Sequence, residues 1–232
     1  MLSTHPLAAS LARIPFFAGL DESALERVAA GSRTRRFRRG EVIFHAGDPG
    51  DALFILVSGE VKIALPSETG EEAIIAILRA GDVFGDLASL DGAPRSATAS
   101  ALVGTEAVLL PRDMLRELVD TEPAVRDALL ASVAVELRRL TMHVEELHFL
   151  DMTGRVAACL LRLAEEGGPA ADDGSIRLRS SLTQAELASM VGCTRQSVNK
   201  LLGQFSDDGL VRLDRDGISV TDRAGLVAAS RR

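Results

Sequence analysis

Two cysteines and four histidines are all the soft metal ligands that 232 residues offer. Cys159 and Cys193 stand alone, with no C-x-x-C spacing and no third or fourth cysteine. That excludes an iron–sulfur cluster or a structural zinc site built on thiolates, and both are expected as apolar thiols inside helices. His45 is the one histidine on the strands expected below, so a metalloenzyme barrel of the cupin kind lacks its ligands. His143 and His148 are five apart, do not share a helix face well, and are expected to be solvated. No apolar run approaches the ~20 residues that a membrane-spanning helix needs. The opening MLSTHPLAASLARIPFFAGL has neither the basic segment nor the long apolar core of a secretory signal. The expectation is therefore a cytoplasmic protein without membrane partner, metal, prosthetic group or catalytic residue. With 47% hydrophobic and 25% charged residues, the chain is long enough for two globular domains.

What is present begins with Thr183 to Phe205, TQAELASMVGCTRQSVNKLLGQF. Thr183 followed three residues later by Glu186 is a capping box, and predicts a helix to about Met190. Gly192 supplies a turn, and Thr194 caps a second helix. On that helix Val198, Leu201, Leu202 and Phe205 share one face. Arg195, Gln196, Ser197, Asn199 and Lys200 fall on the other, a basic and amide-rich face of the kind that reads base edges in a major groove. The same pattern also fits a helical hairpin with a solvated face. LVRLDRDGISVTD at 210–222 alternates apolar and polar residues around an Asp-Gly turn, which predicts a hairpin. Two helices followed by a hairpin make a winged helix. Arg195 and Gln196 are the candidates for base edges, and Lys200 for either a base or a phosphate. Thr183, Gln184, Thr194, Ser197 and, on the wing, Arg215 are candidates for the backbone.

The net charge of −7 divides unevenly. Residues 152–232 hold eleven Lys+Arg against ten Asp+Glu, whereas residues 1–151 hold 15 against 23. A nearly neutral C-terminal part should bind DNA modestly without a sequence match and depend on specific contacts.

The N-terminal part reads as β-rich. After a helix near Asp21–Ala30, strands are expected at Arg35–Arg38, Val42–His45, Ala52–Ser58, Glu60–Leu65, Glu72–Leu78, Ser96–Ala101 and Glu106–Pro111. Their number and spacing suggest a barrel or sandwich. Within it, FGDLASLDGAPRSATA at 84–99 concentrates the chemistry. Gly85, Asp86, Leu87 and Ala88 look like a helix start whose free N–H groups can hold an anion. Arg95 and Ser96 add a guanidinium and a hydroxyl, the parts needed to grip one phosphate. Asp86 suits a ribose hydroxyl. An arginine in a loop also fits a plain surface charge.

From Val125 to Phe149 the chain forms one long helix. Leu130, Val133, Leu137, Leu140, Val144 and Leu147 follow a 3-4-3-4-3 spacing, an a/d seam for a homodimeric coiled coil. The same stripe also fits a helix buried in its own domain. Phe149-Leu150-Asp151 ends the helix, and Asp151 or Thr153 can cap the next one, expected from Val156 to Glu165. EGGPAADDGS at 166–175 is a polar loop.

In GDPGDALFILVSGEVKI at 47–63, FGDLASLDGAPRSATA at 84–99, FLDMTGRVA at 149–157 and LTQAELASMVGCTRQSVNKLL at 182–202, the chain resembles the cyclic AMP receptor and FNR (CRP/FNR) superfamily of bacterial transcription regulators. The resemblance implies an α+β architecture. A cyclic-nucleotide-binding β jelly roll (1–120) is followed by a dimerisation helix and hinge (121–150) and a winged helix-turn-helix (151–232). It implies that Arg95 and Ser96 hold a cyclic phosphate, that Gly85 and Asp86 face phosphate and ribose, and that Phe149 and Asp151 form the hinge. It also implies a two-fold symmetric double-stranded DNA site, RNA polymerase as a partner, and cyclic AMP as the first effector to test. The chain departs from the family's cyclic-AMP pattern in two places. Asp86 stands where a Glu is common, and Leu140 with Thr141 stand where two polar residues meet adenine. Cyclic GMP, cyclic di-GMP or effector-independent action therefore stay open. The FNR iron–sulfur cluster is excluded, since its N-terminal cysteines are missing.

Overall fold

The computed structural model describes residues 6–68, 70–165, 170–171, 173–178, 182–214 and 217–231. It divides into two compact units, 1–138 and 139–232.

The first unit opens with α1 (Pro6–Leu11), a 3-10 turn (Pro15–Phe17) and α2 (Glu22–Gly31), whose Asp21 cap accepts from Ala24 N at 2.7 Å. Eight strands follow: β1 (Arg33–Phe37), β2 (Val42–Phe44), β3 (Ala52–Ser58), β4 (Glu60–Pro66), β5 (Glu72–Arg79), β6 (Val83–Phe84), β7 (Thr98–Ala101) and β8 (Thr105–Pro111). They form two four-stranded antiparallel sheets, ordered β1-β8-β3-β6 and β2-β7-β4-β5. Between β6 and β7 lies α3 (Asp86–Asp91), and after β8 come α4 (Arg112–Thr121) and the start of α5 (Pro123–Phe149).

The strand ALFILVS of β3 is an unbroken apolar run because it is buried on both faces. Phe54 and Leu56 join Val61, Phe84, Ala99 and Ala107 between the sheets. Leu53 and Ile55 turn the other way, into a second core with α1, α2, α4 and Val125 and Leu129 of α5. Burying such side chains is worth roughly 1.5–3 kcal/mol each. The expected strands are present with shifted ends, β1 beginning two residues early at Arg33 and β7 two late at Thr98. The two-residue β6 was not expected, since so short a strand carries no periodicity.

In the second unit, α6 (Met152–Glu165), α7 (Gln184–Val191), α8 (Arg195–Asp207) and α9 (Arg223–Ala229) enclose one core that includes Leu160, Leu187, Val198, Leu202 and Phe205. Asp151, not Thr153, caps α6, accepting from Gly154 N at 2.8 Å, and the helix starts at Met152, four residues earlier than expected. A small sheet orders β10 (Val211–Asp214), β11 (Gly217–Val220) and β9 (Ile176–Arg177). The third strand, β9, follows the polar loop and was not expected. Asp173 ties it to the hairpin, accepting from Arg212 Nη1 at 3.1 Å and Ser175 Oγ at 2.6 Å. Leu213 departs from the expected alternation and is exposed. Two further expectations fail here. Cys193 lies in the turn between α7 and α8 and is only half-buried, and His143 is half-buried rather than solvated, its pKa lowered by burial.

Candidate functional site

The stretch Gly85–Ser96 folds into a cradle around one guanidinium. Gly85 takes φ 74°, a left-handed conformation that favours glycine, and is the N-cap of α3. A Cβ there would collide with Arg95 Nη1, so the glycine is needed for this approach as well as for the turn. Arg95 is not a surface charge: it is 4% exposed. Its Nη1 donates to Gly85 O at 2.6 Å and its Nη2 to Ala52 O at 2.7 Å, while the Asp51 carboxylate lies 3.8 Å away. Burial lowers its pKa, and Asp51, Asp48 and Asp86 oppose that shift. Its Nε is buried with no hydrogen-bond partner among the described residues.

Asp86 is half-buried, and burial raises its pKa, with Glu136 on α5 adding to the effect. The N–H groups of Asp86 and Leu87 donate to its own carboxylate. Leu87 is exposed, whereas Ala88 is buried against Gly50, whose lack of a side chain admits it. Ser96 is exposed beside the buried arginine. Gly85, Asp86 and Arg95 are thus brought together, and Ala88 faces elsewhere. Ala52, Asp51, Phe44 and Phe54 belong to the same cradle and were missed. The phenylalanines and Ala52 read as core from the apolar character of β2 and β3, and Asp51 reads as a turn residue ahead of β3.

The second unit carries the other arrangement. Thr183 and Glu186 complete the capping box, with Thr183 N to Glu186 Oε2 at 2.7 Å and Glu186 N to Thr183 Oγ1 at 3.2 Å. The Thr183 hydroxyl also donates to Glu186 at 2.8 Å, so the cap engages it. Gly192 ends α7 at φ 68°, and Thr194 caps α8, accepting from Ser197 N at 3.1 Å. Val198, Leu201, Leu202 and Phe205 of α8 face the core, leaving Arg195, Gln196, Asn199 and Lys200 exposed on the other side. Gln184 and Ser197 are half-buried. Arg215 lies outside the described residues.

On α5, Leu130, Leu137, Leu140, Val144 and Leu147 are 37–65% exposed, and Val133 is half-exposed. Thr141 is exposed, as are Phe149 and Asp151.

Profiles of two domain families match in the same order as these two arrangements. The cyclic nucleotide-binding domain covers residues 34–122, and the Crp-like helix-turn-helix domain covers residues 154–229. A CRP-like cAMP-activated global transcriptional regulator of Mycobacterium tuberculosis is 36% identical over 221 residues, 95% of this chain and 98% of that protein. The chain belongs to the CRP/FNR family of transcription regulators. The cyclic AMP receptor protein of Thermus thermophilus is another relative of this CRP/FNR chain, 32% identical over 91% of it and 94% of the relative. Among solved structures, FixK2 from Bradyrhizobium japonicum shares the CRP/FNR fold, with a TM-score of 0.76 over 85% of this chain and 96% of that one, at 24% identity. A CRP/FNR member is a DNA-binding regulator with a cyclic-nucleotide-binding domain, and its relatives are regulators and not enzymes. Among the described residues no helix is long and apolar enough to cross a membrane, and no cluster of His, Cys, Asp and Glu could hold a metal.

Proposed function

We propose that this regulator is a cytoplasmic homodimer whose winged helices bind a two-fold symmetric DNA site, gated by a cyclic nucleotide, with cyclic AMP the first candidate. One observation carries the effector part: a buried arginine in the cassette whose Nε–H has no partner, so that a cyclic phosphate would satisfy it. Ser96 would add a hydroxyl, and Asp86 would accept from the ribose. The relatives named for cyclic AMP support that base. Leu140 and Thr141 are the base-facing candidates, and the lost polar group at Leu140 is the argument for cyclic GMP or cyclic di-GMP.

The exposed a/d stripe on α5 supports dimerisation, because a contiguous apolar surface in water is stabilised by a second copy. Arg195, Gln196 and Lys200 would read bases, while Gln184 and the helix N-termini would meet phosphates. Phe149 and Asp151 would serve as hinge, and RNA polymerase as the partner at promoters. Calorimetry of the full-length protein with cyclic AMP, cyclic GMP and cyclic di-GMP tests the effector reading. Binding of cyclic AMP that is lost with Ser96→Ala supports it. Heat from none of the three would leave an effector-independent regulator.

A further inference from the structure

The guanidinium of Arg95 is held in two different ways. Two carbonyls, Gly85 O and Ala52 O, fix the ends of its fork. Its central carbon lies over aromatic rings, with Cζ 4.4 Å from the centroid of Phe44 and 5.5 Å from that of Phe54. Those rings belong to a cluster drawn from both sheets: Phe44 of β2 lies 5.4 Å from Phe54 of β3 and 6.0 Å from Phe84 of β6. Phe54 and Phe84 stack at 5.1 Å and 19°.

Two hydrogen bonds along one edge leave a planar group free to tilt about that edge. A ring under its central carbon restrains that tilt. The site is also desolvated, where a cation over a ring gains most and where the cost of burying the charge is in need of an offset. A leucine in place of Phe44 would fill similar space but offer no negative face.

We infer that Phe44 is a positioning residue for the effector: its ring, under the central carbon of Arg95, holds the guanidinium in the cradle that a singly charged cyclic phosphate would meet. This rests on the effector reading above. The surrounding carboxylates fit a single negative charge better than a double one, since Asp48, Asp51 and Asp86 all act on the one arginine. Phe44 itself is only half-buried, so its replacement leaves most of the core intact.

The test is calorimetry of cyclic AMP with the full-length wild type, Phe44→Leu and Phe44→Tyr, each confirmed as folded by circular dichroism. Phe44→Tyr keeps the ring and should bind within about 2-fold of wild type. Phe44→Leu keeps the apolar volume and should bind about 3- to 30-fold more weakly, the range of a cation–π contact at room temperature. If the leucine variant does not fold, Phe44→Met replaces it, with the same loss expected. Wild-type binding with no loss in the leucine or methionine variant overturns the inference alone. So does an equal loss in folded Phe44→Tyr and Phe44→Leu, because then the ring face is not what matters. A wild type that binds no cyclic nucleotide overturns the effector reading, and this inference with it.

Discussion

Arg95 has a structural task and a proposed one, and they separate by experiment. As a ligand for phosphate it would contribute a charge-assisted contact. As a buried donor it satisfies two backbone carbonyls. Arg95→Ala should therefore weaken cyclic AMP binding by about 10- to 150-fold, and also lower unfolding stability by about 1–3 kcal/mol, because Ala52 O loses its side-chain donor and Gly85 O keeps only that of Ser89. Calorimetry and urea unfolding read the two effects, and an undiminished stability would show that the carbonyls find other donors. The glycine, the arginine and the serine of this cassette are legible in the sequence, since each has a chemistry tied to its type. The burial of Arg95 and its aromatic footing are not. A phenylalanine in a short strand reads as core, and only the fold brings it under a charge. In the second unit Arg195 is exposed beside the cap of α8, where a fork can bond guanine O6 and N7 together. Arg195→Ala should cost about 1–3 kcal/mol per half-site and relax one base position in binding-site selection. An unchanged sequence preference would mean that α8 is not the reading head.

Among the elements, α5 and the wing answer to different forces. The a/d spacing of α5 is visible in the sequence, and its side chains remain exposed in a single copy. Leu137→Asp would set two carboxylates against each other in a dimer seam, so sedimentation should show a monomer or aggregate with weak operator binding. A folded dimer would place the interface elsewhere. The wing buries Val211 and Val220 in the core of its unit and adds polar contacts. Asp173 has its pKa lowered to about 2, first by the Ser175 hydroxyl and backbone N–H and then by Arg212. Because its folded pKa lies below the ordinary 3.8, the support it gives β9 is present above that value and fades as pH falls toward about 2. NMR titration of the carboxyl should show it near 2, with Ser175→Ala raising it more than Arg212→Ala. The reverse order would mean that the ion pair dominates. The strand β9 escaped the sequence for the same reason as β6: two residues are too few to alternate. The run of β3 was legible as a strand by its length and β-branched content, but its double burial became plain only once helices covered the outer face of its sheet.

For the whole molecule, the division of charge sets how tightly DNA is held. The acidic residues concentrate in the effector half, and the reading half is close to neutral. Weak non-specific attraction leaves room for a ligand to decide between bound and free, provided that it prefers one arrangement of the dimer. Glu136, on the helix that carries the apolar stripe, adds to the burial that raises the pKa of Asp86 in the cassette. Coupling between an effector and DNA is typically worth about 5- to 150-fold in affinity. The direct test is a titration of labelled DNA, carrying a two-fold symmetric site found by binding-site selection, with the full-length protein in the presence and absence of cyclic AMP at fixed salt. The expected result is an affinity shift within that range when cyclic AMP is present, abolished by Arg95→Ala. Identical titration curves with and without cyclic AMP, for a protein that binds the nucleotide, would contradict the account.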